Sequence, residues 1–140
     1  MTMYGWRDSG GGTLLPRMIA YELARRGSEV TVFYAGVGRG GTGKPYEIVT
    51  SEDNGVRLVG VFNRDHQLLD LGHPYREIDD PPITAAFGNV LDEVRPDVVH
   101  FHNLHNLGAA LLDEAGARGI RSFFTAHNYW LVCPRGYLLD

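Results

Sequence analysis

Three of the six histidines lie within one short segment, at His100, His102 and His105. Their spacing is H-x-H-x-x-H, and the alternation of side chains along a strand would place His100 and His102 on one face. Imidazole is a common zinc ligand, so these three side chains could hold a metal ion that activates water. Leu104 stands where the metal-binding pattern H-x-H-x-D-H has its aspartate. A metal-dependent hydrolase is one hypothesis, and a hydrogen-bonded core role for His100 is its alternative.

A second candidate site is the glycine run Gly10-Gly11-Gly12, which leads through Thr13 into a predicted helix. Without side chains, the backbone N–H groups and the positive end of the helix can approach a phosphate. A flexible turn between a strand and a helix is the alternative. The run does not match a dinucleotide-binding fingerprint, because Leu15 takes the place of the third glycine.

The segment His127-Asn128-Tyr129-Trp130 follows the last predicted strand and combines polar with aromatic side chains. A histidine just beyond a strand end can hydrogen-bond a bound sugar. Tyr129 and Trp130 can either stack on the apolar face of a sugar or fill the core.

Alternating strands and helices must position these residues. Apolar spacing predicts a helix that begins with Thr13 as its N-cap and presents one stripe of Leu15, Met18, Ile19 and Leu23. A third helix is expected to face inward through Leu107, Leu111 and Ala115. Strands are predicted at 1–4, 29–34, 47–50, 57–62, 97–102 and 120–126, helices at 13–26, 83–94 and 107–118, and long loops at 35–45 and 63–82.

This order of elements predicts the α/β class, with a Rossmann-like three-layer α/β/α domain and a mostly parallel sheet covered by helices on both faces. Crossover helices require parallel strands, and the carboxyl ends of parallel strands share one edge of the sheet. We therefore expect the glycine run, His102 and His127 to converge at that edge.

Composition limits the remaining classes. A length of 140 residues with 44% hydrophobic content predicts one domain, residues 1–140. With 13 basic and 17 acidic residues and a net charge of −4, the chain is not expected to bind nucleic acid. A single cysteine, the lack of a signal-peptide pattern and the lack of a long apolar run favour a cytoplasmic location without a transmembrane segment.

Three stretches together resemble the N-terminal domain of glycosyltransferase family 4. They are A-H-N-Y-W-x-x-C-P-R-G from Ala126, R-P-D-V-V-H-F-H-N from Arg95, and G-G-G-T with A-x-x-L-A-R-R-G-S-E-V-T-V after it. The resemblance implies one half of a GT-B fold, in which two Rossmann-like domains face a cleft. It also implies retaining transfer of a sugar from a nucleotide-sugar to an acceptor, without a metal or a cofactor.

The resemblance implies roles for individual residues. Gly11 and Gly12, within the segment Gly10 to Thr13, match the loop that approaches the donor diphosphate, and His127 matches the catalytic histidine near the reacting carbon of the sugar. The cleft or acceptor side is assigned to four residues: His102, Asn103, Asn128 and Tyr129. The acceptor is expected to be a sugar, a lipid-linked molecule or another small molecule, and peripheral contact with a membrane is compatible with this.

Two departures from the family pattern shape the expectation. The first strand is expected to lack its beginning, and the family's C-terminal domain, which holds the nucleotide-sugar, is expected to lie outside these 140 residues. We therefore expect a fragment of a longer, hexosyltransferase-type enzyme whose 140 residues alone are inactive. The alternatives are the metal-dependent hydrolase based on His100, His102 and His105, and a non-catalytic α/β binding module.

Overall fold

Six strands form one sheet in the computed structural model, which describes residues 1–3, 5–6, 10–36, 44–62, 74–129 and 131–132. The strands are β1 (Thr2–Met3), β2 (Val30–Ala35), β3 (Ile48–Asp53), β4 (Val56–Val61), β5 (Val98–Phe101) and β6 (Arg121–Phe124). Within the same residues, the helices are α1 (Gly11–Arg25), α2 (Pro81–Val94) and α3 (Ala110–Ala117), with a 3₁₀ turn at Pro74–Glu77.

The strand order is β3-β4-β2-β1-β5-β6, and every neighbouring pair is parallel except β3 with β4. The antiparallel pair is a hairpin whose turn is Asn54-Gly55, within the turn that the sequence predicts. Short β1 lies at the centre of the sheet, because Thr2 pairs with Phe33 on one side and with Phe101 on the other. The mostly parallel α/β sheet is therefore confirmed.

Alternation along the strands divides the core between the two faces of the sheet. On one face, Val30 and Val32 belong to a cluster with Ala20 of α1. On the other face, Phe33 belongs to a larger cluster that includes residues of both α2 and α3, among them Ile83. Helices thus cover both faces, and the domain has the three-layer α/β/α architecture that the sequence predicts.

The buried face of α1 differs from the predicted stripe. Leu15 and Met18 are 47% and 58% exposed, whereas Thr13, Pro16 and Ala20 are buried. Thr13 is also not the N-cap, because the helix begins at Gly11 and Gly10 is the capping residue. Small residues face the sheet and let the helix approach it closely, which leaves the bulkier apolar side chains outside.

The other two helices follow the prediction more closely. Pro81 and Pro82 start α2, where a missing backbone N–H costs nothing. Helix α3 is shorter than predicted, since Leu107 lies in the turn before it, but Leu107, Leu111 and Ala115 are all fully buried as expected.

The remaining sequence predictions concern loops and membrane contact. Residues 37–43 and 63–73 of the two predicted loops lie outside the described residues, as do Trp130 and Cys133. Among the described helices, none combines the length and apolar composition that a bilayer crossing requires.

Candidate functional site

Three strand ends bring the predicted site residues to one edge of the sheet. β1, β5 and β6 are neighbours, and the chain leaves them toward the glycine run, His102 and His127 respectively. A Cβ atom built on Gly12 would lie 3.9 Å from Cβ of His127. The start of α1 and the segment after β6 are therefore close neighbours, with room for about one methyl group between Gly12 and His127.

The backbone at the start of α1 is open to a ligand. Gly10 has φ +145° and ψ 155°, a conformation that glycine adopts readily, and its carbonyl accepts hydrogen bonds from the amides of Thr13 and Leu14. The amides of Gly11 and Gly12 belong to the first helical turn, where no carbonyl of the same helix can accept from them. Cβ atoms built on Gly10 and Gly11 would meet nothing within 4 Å. These amides can approach an anion closely.

His100 of β5, His102 at the end of β5 and His127 after β6 form a group of adjoining rings. Nδ1 of His102 lies 3.0 Å from Nε2 of His127, and the two rings meet edge to edge with their centroids 5.3 Å apart and their planes 28° from parallel. The ring of His100 packs against that of His102, with the two centroids 3.8 Å apart. His102 is 1% exposed, and its Nε2 atom has no hydrogen-bond partner among the described residues.

Burial keeps this group neutral. Desolvation lowers the pKa of His102 to about 3, with smaller contributions from the charges of His100, His127 and the chain terminus. Burial is also the main reason that the pKa values of His100 and His127 are lowered. All three rings are therefore uncharged at neutral pH, and His127 can offer a hydrogen bond or a lone pair but carries no charge.

The three histidines of the H-x-H-x-x-H pattern do not converge. Nε2 of His100 lies 2.8 Å from the hydroxyl of Thr125, and Nδ1 of His105 lies 3.1 Å from a carboxylate oxygen of Glu77. Across the described residues, no group of three or more His, Cys, Asp or Glu side chains is arranged to hold a metal ion. The spacing in sequence therefore does not become a three-histidine site in this fold.

Glu77 supports the loop after β5, a role that the sequence analysis did not identify. Its carboxylate accepts a hydrogen bond from the amide of Asn106 at 3.3 Å, besides its contact with His105. Asn103 stabilises the same loop, since its side-chain oxygen accepts from the amide of His105 at 2.8 Å. Glu77 lies 28 residues before His105, so no local pattern could have indicated the contact.

Four of the predicted site residues line one small cavity: His102, Asn103, His127 and Asn128. Its volume of about 10 Å³ is that of one water molecule, so a sugar would have to bind outside it. Tyr129 is 54% exposed and does not line this cavity.

Residues 9–139 match the profile described as Glycosyltransferase Family 4. The chain belongs to glycosyltransferase family 4. The family is one with a Rossmann-like, GT-B type fold, and this domain has the corresponding α/β architecture, as the sequence predicts.

One relative of this family 4 domain is an "Uncharacterized 42.6 kDa protein in cps region" from Klebsiella pneumoniae. The two are 23% identical over 143 residues, which covers 95% of this chain. The chain spans only 36% of the length of that relative. No solved structure gives a significant match.

Proposed function

We propose that this family 4 domain forms the acceptor-side half of a GT-B enzyme that transfers a hexosyl group from a nucleotide-sugar to an acceptor, with retention and without a bound metal. The main support is the placement of His127 beside the first turn of α1, where a Cβ atom added to Gly12 would come within 3.9 Å of Cβ of His127. This arrangement combines a diphosphate-binding helix start with a side chain that can reach the attached sugar.

In this proposal the amides of Gly11 and Gly12 bind the donor diphosphate. Negative charge grows on the leaving phosphate as the sugar departs, and the amides of the first helical turn and the positive end of α1 stabilise that charge. Because these dipoles are already oriented by the helix, they need no reorganisation during the reaction. Gly10 and Thr13 shape the turn, since Thr13 donates from both its amide and its hydroxyl to the carbonyl of Gly10 at 3.1 Å.

His127 is assigned to the sugar side of the bond that breaks. It follows β6 at the same edge of the sheet, is partly buried, and is neutral because burial lowers its pKa. An uncharged imidazole can form a hydrogen bond with a sugar oxygen without placing a positive charge beside the sugar. Asn128 and the exposed ring of Tyr129 are the candidates for contact with the acceptor.

We further infer that a second domain, in the cytoplasm with this one, supplies the other wall of the cleft and the binding site of the nucleotide. Ligand sites normally enclose most of their ligand, whereas a single half of a cleft leaves most of a nucleotide-sugar in water. The 140-residue chain alone should therefore bind a nucleoside diphosphate with a dissociation constant in the millimolar range, about −4 kcal/mol, and should not catalyse transfer.

Titration of the ¹⁵N-labelled chain with UDP and with GDP tests this proposal. The amide shifts should centre on Gly10 to Thr13 and extend to His127. Shifts centred elsewhere would contradict the site, and tight binding or measurable transfer by this chain would contradict the requirement for a second domain.

A matched pair of variants isolates the backbone contact. Gly11→Pro removes one amide hydrogen at the first helical position, where proline is tolerated, and the extended ψ of 155° at Gly10 suits a following proline. Gly11→Ala keeps the amide. Gly11→Pro should weaken nucleotide binding several-fold while Gly11→Ala leaves it nearly unchanged. Equal binding by both variants would show that this amide does not contact the phosphate.

A further inference from the structure

His102 and His127 form a hydrogen bond in which one ring must donate its N–H and the other must accept. The atoms involved are Nδ1 of His102 and Nε2 of His127, 3.0 Å apart, and both rings are neutral at neutral pH. A neutral imidazole carries one N–H and one bare nitrogen, so the direction of this hydrogen bond determines which nitrogen of each ring is protonated.

The buried Nε2 atom of His102 decides between the two directions. If His127 donated, the only proton of His102 would be on Nε2, a buried N–H without an acceptor among the described residues. If His102 donates from Nδ1, its Nε2 is a bare nitrogen. Buried N–H groups without an acceptor are rarer in proteins than buried acceptors without a donor, so the second direction is favoured.

Neighbouring contacts hold the ring of His102 in place for this role. The ring of His100 stacks on it, and His100 is itself fixed by its 2.8 Å contact with the hydroxyl of Thr125. The backbone amide of His102 donates to the carbonyl of Thr2 at 3.3 Å, which ties the end of β5 to β1. With an exposure of 1%, His102 has little room to change its orientation.

We propose that His102 is a positioning residue that holds His127 in the tautomer protonated on Nδ1. His127 then accepts through Nε2 and offers Nδ1–H as its only donor. Cβ of His127 would lie 3.9 Å from a Cβ atom built on Gly12, so the ring that carries this donor begins next to the helix start. Together with the glycine amides, it forms a set of donors suited to the oxygens of a glycosyl diphosphate.

The identity of that ligand rests on the proposed function, whereas the tautomer of His127 does not. The proposal also gives His102 a role behind the cleft: it acts through His127 without touching the substrate. His127 cannot act as a base through Nε2 in this arrangement, because the lone pair of that nitrogen is already engaged.

Long-range ¹H–¹⁵N spectra of the ¹⁵N-histidine-labelled chain at pH 7.5 test the tautomer directly, because protonated and bare ring nitrogens have well-separated shifts. We expect Nδ1 of both His127 and His102 to be protonated and both Nε2 atoms to be bare. The denatured chain provides the reference ratio of tautomers. A His127 ring protonated on Nε2 would overturn the proposal.

Two variants of similar shape separate positioning from packing. His102→Asn keeps an amide nitrogen three bonds from Cα, as Nδ1 is, and His102→Leu places a methyl group there. His127 should keep its Nδ1–H form in His102→Asn and move toward the ratio of the denatured chain in His102→Leu. An unchanged His127 tautomer in folded His102→Leu would contradict the proposal. If that variant does not fold, the unmodified chain and His102→Asn decide the question.

Addition of UDP or GDP distinguishes a failure of this proposal from a failure of the proposed function. If the expected tautomers are observed but nucleotide causes no shift at Gly11 or His127, the hydrogen bond from His102 to His127 is supported and the donor site is refuted. Nucleotide-dependent shifts together with the opposite tautomer would support the donor site and refute the role of His102.

Discussion

Acidification should destabilise this domain through His102, and the effect can be isolated by one substitution. Burial lowers the pKa of His102 from 6.5 to about 3, so the folded chain keeps this ring neutral at a pH where the unfolded chain protonates it. The unfolded state then binds more protons than the folded state, and stability falls as the pH decreases below 6.5. The loss continues until the pH approaches 3 and both states are protonated.

The size of the effect follows from the two pKa values. Relative to pH 8, the contribution of His102 is a loss of about 2 kcal/mol at pH 5 and about 3 kcal/mol at pH 4. Other buried groups also titrate: burial lowers the pKa of the Met1 amine to about 5 and raises that of Asp80. These groups are present in the His102→Asn variant too, so the difference between the two proteins isolates His102.

Urea unfolding of both proteins at several pH values, followed by tryptophan fluorescence, measures this difference. Trp6 is 4% exposed in the folded chain and provides a signal of unfolding. The variant is expected to be less stable than the unmodified chain at pH 8 and to lose about 2 kcal/mol less than it between pH 8 and pH 5. Parallel stability curves over this range would refute the reasoning, because they would mean that His102 is protonated equally in both states.

Three further outcomes are expected. In an active enzyme carrying this domain, His127→Ala should lower turnover by a factor that corresponds to about 2–4 kcal/mol while the melting temperature changes little. Normal turnover would show that His127 takes no part in catalysis. Gly108 has φ +93° and a Cβ there would lie 3.3 Å from the carbonyl oxygens of Arg76 and Ile78, so Gly108→Ala should cost more than about 1 kcal/mol in urea unfolding. Gly116→Ala, inside α3 with nothing near it, is the control and should stabilise by about 0.5–1 kcal/mol. Leu111 is fully buried, so Leu111→Ala should cost about 2–5 kcal/mol by the same measurement, and a cost below that range would mean that its surroundings close the cavity.

Local patterns in the sequence determined the order of the elements and the edge at which the site lies. The run from Val98 to Phe101 is mostly apolar and is followed by the polar pair His102 and Asn103, so the strand and its polar end are both visible in the sequence. The spacing of Leu107, Leu111 and Ala115 correctly predicted three fully buried positions, although Leu107 lies in the turn before α3. Since parallel strands share an edge, the neighbourhood of the glycine run and His127 followed from topology alone.

Tertiary structure decided what the local patterns left ambiguous. Helix α1 carries apolar residues on more than one face, and only its packing against the sheet shows that Pro16 and Ala20 are buried while Leu15 is exposed. The partner of His102 is likewise invisible in the sequence, since His127 is 25 residues away and meets it only because β5 and β6 pair in a particular register. The same packing removes His102 from water and so sets its pKa. Periodicity reports which residues share a face of one element, but burial and hydrogen bonding depend on which other element covers that face.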